Sequence, residues 1–592
     1  MRFWFRFPAS PASDATRARR RRSLLLAVVG IAVLPLAWRG TSCGQDFDFH
    51  LQNWLEVAAH WRQGVVYPHW AGSANFLAGE PRFVFYPPLS WLWGGVLGAV
   101  LPWSWIPLAF ALIALLGAGF SFRAMAREWI AADNATLAAC LYVVNPYMLF
   151  VLYERGAMAE LLAATWIPLL VLYGIREKRA LIPLSLTVAA IWLTNAPAAV
   201  MGCYLLVVLV LVAAVQRRTW RLVGRAAGGA LLGLALAGFW LVPAFYEQRW
   251  VAIGRAIGPL MRVEDSFLFG FAKLPGPNVS TDDLFNLNYH NQVLRTVSWI
   301  VVALMLGVVA AALVSRKRRN PLWMPLVVVG AAVCILQQRW SDLAWRLTPE
   351  LKYLQFPWRW MLVLGMVVAA LVGLALRGEA TTRRAIAVRA AGTLLLAGGM
   401  AVMAAALYWQ PCDEEDNVAA QVAAFHARGF EGTDEYTPQG ADNGEIQPGL
   451  PAVSILSSPN AELAESGGAT LQESASEVKI GRWDTERRSV MVNSPRATYA
   501  VLRLMDYPAW QVMRNGVEVR DRAQRSDGLM VIPVKAGANE IDVRWRRTSD
   551  QWAGDGVSLA ALAITLALAW LERRRPTGER RGKFRYDDRD AG

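Results

Sequence analysis

Cysteine is scarce in this sequence, and its cysteines do not have the spacing of a metal site. It has five cysteines, an odd number, and they are scattered along the chain without a zinc-binding pattern. Cys140, Cys203 and Cys334 lie inside apolar runs, where a free cysteine behaves as a small hydrophobic residue. Cys43 and Cys412 both fall near the same predicted face of the membrane, so a disulfide between them is conceivable. The sequence gives no support to a metal centre built from cysteine and histidine.

Internal repeats and cleavage signals are also missing. Many transporters are built from inverted repeats, and none is evident here. The first apolar run, residues 23–38, follows a basic segment, as in a signal peptide. However, residues 39–41 lack a small-x-small cleavage site, and residues 40–43 lack the leucine of a lipobox. We therefore expect an uncleaved first membrane span with a cytoplasmic N-terminus.

Hydrophobic sequence is abundant. Hydrophobic residues make up 55% of the chain, the mean hydropathy is +0.29, and there are 27 tryptophans. Apolar runs of about 17 to 25 residues, the length that crosses a bilayer, recur along most of the sequence. The apolar runs cover residues 23–38, 89–101, 104–122, 135–152, 158–175, 180–194, 198–215, 222–245, 294–314, 321–336, 358–376, 388–408 and 555–571. This pattern predicts an all-α polytopic membrane bundle of about 12–13 hydrophobic helices, with about twelve crossings.

The formal net charge is +14, and the basic residues behind it are distributed as in a membrane protein. Basic clusters adjoin apolar runs, as the positive-inside rule expects of cytoplasmic ends, at residues 17–22, 216–218, 315–319, 383–384 and 573–575. No nucleic-acid partner is therefore expected. The segments between apolar runs should alternate between the cytoplasmic and the extracytoplasmic side. If both apolar runs between residues 85 and 122 crossed the membrane, the later segments would lie on the wrong sides. Either one of them does not cross fully, or Arg123 is an exception to the rule.

A long polar block with more acidic than basic residues precedes the last apolar run. Its first part predicts a short helix over residues 417–428 that ends at Gly429, and residues 440–477 are expected to be mostly loop. From about residue 477, alternating apolar residues and the hairpin dipeptide Asn515-Gly516 predict an antiparallel β-sandwich. The predicted strands are 489–492, 499–504, 510–513, 517–519, 529–534 and 540–545, with a turn at 536–539.

These observations predict the organisation of the whole chain. A cytoplasmic basic N-terminus (1–22) precedes a transmembrane domain (23–409) that carries an outer loop (39–84). An extracytoplasmic domain (410–552), a last transmembrane helix (553–572) and a cytoplasmic tail (573–592) follow.

Asp46, Asp48 and His50 come directly after the first apolar run and alternate with Phe47 and Phe49. Ionisable groups at a membrane boundary are costly unless they are solvated or used, so they are candidates for function. In an extended segment the three polar side chains would share one face and the aromatic rings the other. Alternatively, Asp46 caps a helix that begins near Phe47, and Asp48 adds a favourable charge to its first turn. Two carboxylates alone do not establish a metal site.

A second ionisable group lies between later spans on the same predicted side. Glu154, Arg155 and Glu160 separate two apolar runs, and Arg359 opens another. A planar guanidinium suits a phosphate group, so Arg155 and Arg359 are candidates to bind one, while Glu154 could position an acceptor. The alternatives are an ion pair at a helix end for the first three residues and snorkelling to lipid headgroups for Arg359.

Several short segments, in this order, resemble landmarks of bacterial YfhO-like membrane proteins. They are Asp46-Phe47-Asp48, Tyr86-Pro87-Pro88-Leu89, Tyr153-Glu154-Arg155-Gly156-Ala157 with Glu160, Phe356-Pro357-Trp358-Arg359, Gly432-Thr433-Asp434-Glu435-Tyr436-Thr437-Pro438, and Tyr507-Pro508-Ala509-Trp510 with Asn515-Gly516. That group overlaps the membrane family labelled 6-pyruvoyl-tetrahydropterin synthase-related. Both are similar to the GT-C superfamily of polyprenyl-phosphate-sugar-dependent glycosyltransferases.

The resemblance implies a GT-C-like membrane enzyme with a catalytic aspartate in the first outer loop, here Asp46 or Asp48. Such an enzyme would transfer a sugar from a polyprenyl-phosphate-linked donor to an envelope glycan or lipid acceptor. The reaction needs a base near the acceptor hydroxyl and cations around the leaving phosphate. No cofactor is firmly implied, although some similar enzymes use a divalent cation. The residues then expected to bind substrate are His50, Tyr86, Glu154, Arg155, Glu160 and Arg359, with an aromatic-belt anchor as the alternative for Tyr86.

The expected location is the bacterial inner membrane, with residues 410–552 outside the cytoplasm. Two other functions fit the same sequence. A lipid or glycan transporter would use these charges to line a path, although here they gather at the outer boundary rather than at the midplane. A non-enzymatic envelope assembly factor would use its outer domain to bind a glycan or a protein.

Overall fold

The computed structural model describes residues 11–273, 280–318, 320–376, 378, 382–463 and 476–574. Helices dominate this part of the chain, apart from a β-rich domain before the last helix. The α-helices are Pro11–Arg39, Phe47–Arg62, Ala74–Leu77, Arg82–Phe85, Pro88–Val100, Ile106–Ala126, Ala132–Val143, Pro146–Tyr153, Met158–Ala163, Trp166–Ile175, Leu181–Thr194, Ala196–Arg217, Arg221–Leu236, Gly238–Glu247, Thr281–Ser315, Trp323–Leu336, Asp342–Leu347, Met361–Ala375, Arg383–Leu407, Val418–Ala427 and Ser549–Arg574. Most of the predicted tail and the first ten residues lie outside the described residues.

The number of membrane-crossing helices is lower than expected. Among the described residues, nine helices are long and apolar enough to cross a membrane, or up to eleven if two bent pairs each count as one span. The bends are 74° between Arg221–Leu236 and Gly238–Trp250, and 96° between Trp323–Leu336 and Arg339–Leu347. A twelfth crossing would require Leu181–Thr194, whose 14 residues extend only about 21 Å. The predicted twelve crossings thus exceed what helix length supports.

The helix Pro88–Val100 belongs to the region where the alternation of sides was in conflict. Its 13 residues extend about 20 Å, whereas a bilayer core is about 30 Å thick. It packs on the helix Phe47–Arg62, where Trp54 lies against Gly94 so closely that an added Cβ would collide with the indole ring. A non-crossing helix at this position removes the conflict between residues 85 and 122.

The domain before the last helix contains eight antiparallel strands in two sheets. Their bounds are β1 Val453–Leu456, β2 Glu477–Trp483, β3 Arg487–Ser494, β4 Thr498–Met505, β5 Trp510–Arg514, β6 Val517–Glu518, β7 Leu529–Val534 and β8 Gly537–Trp545. The sheet orders are β1-β4-β7 and β2-β3-β8-β5-β6, and buried side chains of both sheets belong to one apolar core. The C-terminal strand-rich domain is therefore as predicted.

Local predictions in this domain had mixed outcomes. Asn515 and Gly516 both have positive φ values, 48° and 77°, as the type I′ hairpin requires. The helix Val418–Ala427 is capped by the Asn417 side chain and followed by Gly429 at φ +72°, as predicted. One expectation was wrong, because β8 begins at Gly537, within the predicted 536–539 turn; the segment 440–477, expected to be mostly loop, contains the four-residue strand β1. Residues 464–475 of that loop lie outside the described residues.

A disulfide joins Cys43 to Cys412 and so connects the segment after the first helix to the start of residues 410–552, named the outer domain after its predicted side of the membrane. The backbone amide of Cys43 also donates a hydrogen bond to the Gln410 carbonyl at 3.1 Å. Cys140, Cys203 and Cys334 are free thiols. The pairing that the sequence left open is thus present, and it holds together two segments 369 residues apart.

This disulfide leads to a first prediction. Denatured protein purified from an oxidising compartment should accept three maleimide mass tags before reduction and five after reduction, because only Cys43 and Cys412 are paired. A Cys43→Ser/Cys412→Ser variant should accept three tags under both conditions, and its unfolding free energy should fall by about 2–4 kcal/mol. A Cys203→Ser variant is the matched control, with two tags before reduction and four after. Five tags without reduction of the unmodified protein would contradict the pairing.

Candidate functional site

The site begins where two turns of the chain touch. The helix Pro146–Tyr153 starts at the Asn145 cap and ends before Gly156, which has a φ of +61°. Gly44 lies against this turn, and an added Cβ there would lie 2.5 Å from the Glu154 carbonyl oxygen, so no larger residue fits. The amide of Asp46 donates to the Arg155 carbonyl at 2.7 Å. This contact brings the first outer loop next to the turn between two membrane helices.

Arg155 is the centre of an ion cluster at this junction. Its Nη2 lies 2.6 Å from Asp46 Oδ2, and its Nη1 lies 2.5 Å from Glu160 Oε2. The other Glu160 oxygen accepts a hydrogen bond from the hydroxyl of Tyr147. Burial alone would lower the pKa of Arg155, but Asp46 and Glu160 outweigh it, so its pKa lies above the ordinary value. The guanidinium is therefore a fixed, fully charged group held by two carboxylates.

Arg359 approaches the same cluster but is less completely paired. Its Nε lies 3.9 Å from Glu160 Oε2, beyond hydrogen-bond distance, and that buried Nε has no hydrogen-bond partner among the described residues. Its guanidinium carbon lies 5.1 Å from the ring centre of Phe356, within cation–π range. Both terminal nitrogens of Arg155 are bonded to carboxylates, although its Nε also lacks a partner, so Arg359 is the less completely paired of the two arginines.

The predicted extended segment at Asp46–His50 is wrong, because a helix begins at Phe47. Asp46 occupies the N-cap position without a side-chain capping bond, and Asp48 lies in the first turn. At about 100° per residue, Asp46 and His50 share one side of the helix while Asp48 points elsewhere. The side chain of Asp46 remains 36% exposed, and Asp48 is also exposed. The cap alternative was right about where the helix begins, but Asp46 pairs with Arg155 instead of the helix amides.

Burial and neighbouring charge change the acidity of both other polar residues. Although the Asp48 side chain reaches the surface, protein atoms around its carboxyl displace part of its water and raise its pKa, and Asp46 contributes further through like-charge repulsion. His50 is 3% exposed, and burial lowers its pKa to about 4. His50 is therefore neutral at pH 7 and contributes no cation to the cluster.

Tyr86 lies beside this helix but outside the ion cluster. Its ring packs edge-on against Phe49 with centroids 4.9 Å apart, and burial raises its pKa. On the other side of Phe49, the guanidinium carbon of Arg82 lies 4.6 Å from the ring centre. Arg82 in turn donates to Thr433 at 3.3 Å and so connects the first outer loop to the outer domain. Tyr86 therefore packs against the first turn of the helix Phe47–Arg62, next to Asp46 and Asp48.

Glu154 points away from Arg155. Its carboxylate accepts a hydrogen bond from the Gln410 side chain at 2.7 Å and another from Tyr289, and burial raises its pKa. The structure therefore brings Asp46, Arg155, Glu160 and Arg359 together, while Glu154 connects the same turn to the outer domain.

A family model described as 6-pyruvoyl-tetrahydropterin synthase related domain, membrane protein, matches residues 83–410, more than half of the chain. The chain belongs to this family. The matched region contains Arg155, Glu160 and Arg359, whereas Asp46 and Asp48 precede it. The family description identifies the protein as a membrane protein, in agreement with the long apolar helices.

Two solved structures of the arabinofuranosyltransferase AftD from Mycobacteria are similar to this chain. One is 18% identical with a TM-score of 0.40 and covers 68% of this chain and 27% of that chain. The other, a mutant of the same enzyme, is 16% identical with a TM-score of 0.46 and covers 90% and 42%. The chain thus spans less than half the length of these solved chains. No curated protein matches the sequence.

Sequence reasoning missed several residues that build the site in this family member. Tyr147 and Gln410 hold the two carboxylates of the turn, and Trp358 lies 5.3 Å from the Arg155 guanidinium carbon. Gly44 was not singled out, although it allows the close contact with residues 154–156. Trp358 belongs to the motif at residues 356–359, whereas no motif marked Tyr147 or Gln410. Among the described residues, no group of three or more His, Cys, Asp or Glu side chains could hold a metal ion.

The ion cluster leads to a prediction about stability. Glu160→Gln should lower the unfolding free energy by about 3–5 kcal/mol, because it leaves two buried arginines short of negative charge. Asp46→Asn should cost only about 1 kcal/mol or less, since its side chain is partly exposed and water can replace the pair. Thermal unfolding in detergent would measure both, with the exposed Glu414→Gln as the control. Equal losses for Glu160→Gln and the control would contradict a buried cluster.

The raised pKa of Asp48 gives a pH-dependent prediction. A carboxyl whose pKa is raised on folding loses its stabilising contribution as the pH rises and the group ionises. Asp48→Asn should therefore raise the melting temperature at about pH 7, and the gain should shrink toward about pH 4, where Asp48 itself becomes protonated. The exposed Asp413→Asn serves as the control. A shift that is the same at both pH values would contradict this assignment.

Proposed function

We propose that this protein is an integral-membrane glycosyltransferase that moves a sugar from a polyprenyl-phosphate-linked donor to an envelope glycan or lipid acceptor. The observation that carries the proposal is the cluster of Asp46, Arg155, Glu160 and Arg359, in which an open carboxylate lies beside incompletely paired positive charge. Glycosyl transfer from a phospholipid donor needs both, a base for the acceptor and cations for the leaving phosphate.

The proposed location is the outer face of the bacterial inner membrane. The Cys43–Cys412 disulfide lies within a few residues of Asp46, and disulfides persist in oxidising compartments such as the bacterial periplasm. The basic clusters at the opposite ends of the long helices support the same orientation, with the N-terminus in the cytoplasm and residues 410–552 outside. At this height the tail of a lipid-linked donor stays in the bilayer while its sugar reaches the ion cluster.

The contacts favour different roles for the two arginines. Asp46 and Glu160 occupy both terminal nitrogens of Arg155, so we assign Arg155 as a positioning residue for Asp46. The Nε atoms of both arginines lack a hydrogen-bond partner among the described residues, but Arg359 is also without a hydrogen bond to Glu160, so it is the candidate phosphate ligand. The remaining proposed substrate contacts, His50, Tyr86 and Glu154, surround this centre and would shape it rather than react.

The proposed reaction is a single displacement at the anomeric carbon. The acceptor oxygen forms a bond to the anomeric carbon, and the bond from that carbon to the phosphate oxygen breaks. The electron pair leaves with the phosphate, whose charge Arg359 stabilises. The acceptor proton passes to Asp46 through the carboxylate oxygen that does not contact Arg155. Asp48, exposed on another side of the same helix turn, is the alternative base.

A transporter is the second candidate, and one observation favours it. The two bent helix pairs, with angles of 74° and 96°, resemble the discontinuous helices that bind substrates in many transporters. The ion cluster, however, lies at helix ends and not at either bend. Measurements of product formation and of movement across the bilayer on the same proteoliposomes distinguish the two functions.

The transferase prediction can be tested in proteoliposomes with a panel of polyprenyl-phosphate-linked hexoses and pentoses and an extract of envelope glycans as acceptor. Asp46→Asn should lower the transfer rate about 10²–10⁴-fold through loss of the base. Arg359→Met should lower it about 10²–10³-fold through loss of charge on the leaving phosphate. Asp413→Asn, at an exposed position, should leave the rate unchanged.

The double variant Asp46→Asn/Asp48→Asn decides between the two aspartates and tests the chemistry itself. If Asp48 is the base, Asp46→Asn alone retains activity, whereas Asp48→Asn loses it both alone and in the double variant. Full transfer activity in a folded double variant would rule out the proposed reaction.

A further inference from the structure

A second site of interest lies away from the ion cluster, where the outer domain meets the membrane helices. A cavity of about 490 Å³ is bounded by the first outer loop, the helix Gly238–Glu247, the outer domain and the start of the last helix. Its volume is within the range of about 300–1,000 Å³ that is usual for small-molecule sites. Asp46, Arg155 and Arg359 do not line it, so it is a separate site.

Several residues that line this cavity carry a buried polar atom without a hydrogen-bond partner among the described residues, and two of these atoms face each other. His69 Nδ1 and Glu486 Oε1 are both buried, neither has a partner among the described residues, and they lie 3.8 Å apart, beyond hydrogen-bond distance. The two residues come from different parts of the fold, the first outer loop and the outer domain. Buried polar atoms are almost always satisfied in folded proteins, and a ligand is one way to satisfy them. A hydroxyl group could bond to both, because it can donate its one proton to the carboxylate while its oxygen accepts from the Nδ1–H of the imidazole.

Aromatic rings form the walls around these polar atoms. Trp545 stacks on the His69 ring with centroids 5.6 Å apart and an interplanar angle of 21°. Tyr67 contacts His69 and Phe239 with centroid distances of 5.3 and 5.9 Å. Large apolar surfaces beside a few convergent polar groups are usual in specific binding sites. This combination suits a sugar ring, which offers an apolar C–H face and hydroxyl groups at its edge.

The charges in the cavity favour an uncharged ligand. The guanidinium of Arg547 is already paired with Asp555 at 2.6 Å, so it is not free to bind a phosphate. The open carboxylate of Glu486 would repel an anion. A phospholipid headgroup or an anionic glycan is therefore a poorer fit than a neutral saccharide.

We propose that this cavity binds a neutral saccharide, with its hydroxyl groups on Glu486 and His69 and its ring against Trp545 and Tyr67. The inference does not rest on the proposed transferase function, since a transporter or an assembly factor could also hold a glycan here. The saccharide can come from a free glycan or from the head of a lipid-linked one, because the same hydroxyl chemistry recognises both.

The experiment uses the full-length protein in nanodiscs, because sugar-based detergents would compete for the site. Binding of neutral hexose and pentose oligosaccharides is measured by quenching of tryptophan fluorescence and by calorimetry, with inorganic phosphate as the anionic probe. At least one oligosaccharide should bind, and phosphate should neither bind nor compete. Adding a lipid-linked version of the bound saccharide to the nanodiscs distinguishes the two sources by comparing its affinity with that of the free form.

Two conservative variants locate the binding. Glu486→Gln and His69→Asn should each weaken saccharide binding about tenfold or more, as expected for loss of a hydrogen bond to a buried polar partner. Glu477→Gln, an exposed carboxylate on β2 of the same domain, should bind as the unmodified protein does. Melting temperatures check that each variant is folded, and Asp46→Asn should retain binding even where transfer is lost.

Three results would overturn the proposal. They are no binding by any oligosaccharide of the panel, unchanged affinity in both folded variants, or phosphate binding that is lost in Glu486→Gln. A failure of transfer activity would not overturn it, since binding is measured without turnover.

Discussion

The buried guanidinium of Arg155 is the constraint on which the rest of this structure depends. A cation at the end of a membrane helix is costly unless its charge and its donors are matched. Here Glu160 provides one carboxylate from the next helix, and Asp46 provides the other from a segment more than a hundred residues earlier. Asp46 can reach Arg155 only because Gly44 allows the two backbones to touch. The pairing of Arg155 with Asp46 is therefore one of the contacts that position the first outer loop.

The two arginines share Glu160 unequally, so they differ in how completely each one is paired. Arg155 takes a short bond to Glu160 and another to Asp46, and Arg359 is left 3.9 Å from the same carboxylate. The four charges balance formally, but among the described residues the Nε of each arginine lacks a hydrogen-bond partner, and Arg359 is also without a hydrogen bond to Glu160. Such a centre holds its geometry before any ligand arrives and can still accept an anion. That combination is what electrostatic stabilisation of a leaving phosphate requires.

Several independent bonds attach the outer domain to the first outer loop and to the turn at Glu154. The disulfide and Gln410 attach its beginning to the turns around Gly44 and Glu154. Glu80 accepts a hydrogen bond from the backbone amide of Thr433 at 2.8 Å, and Arg82 donates to the Thr433 side chain. Because these links come from the first outer loop, they also form the junction where Glu486 and His69 face each other. The cavity at that junction thus results from the docking of the outer domain on the first outer loop and the neighbouring helices.

The sequence by itself determined the elements whose signals are local. Apolar runs indicated the membrane helices, the Asn417 cap and Gly429 bounded a helix, and Asn515-Gly516 marked a hairpin, because each depends on neighbouring residues. It also identified Asp46, Arg155, Glu160 and Arg359 as candidates, since ionisable groups at a membrane boundary stand out in a hydrophobic chain. The tertiary structure decided which of them meet. Periodicity could not show that Asp46 begins a helix and turns to Arg155, that Glu154 turns away, or that His69 meets Glu486, because those pairings depend on contacts between segments far apart in the chain.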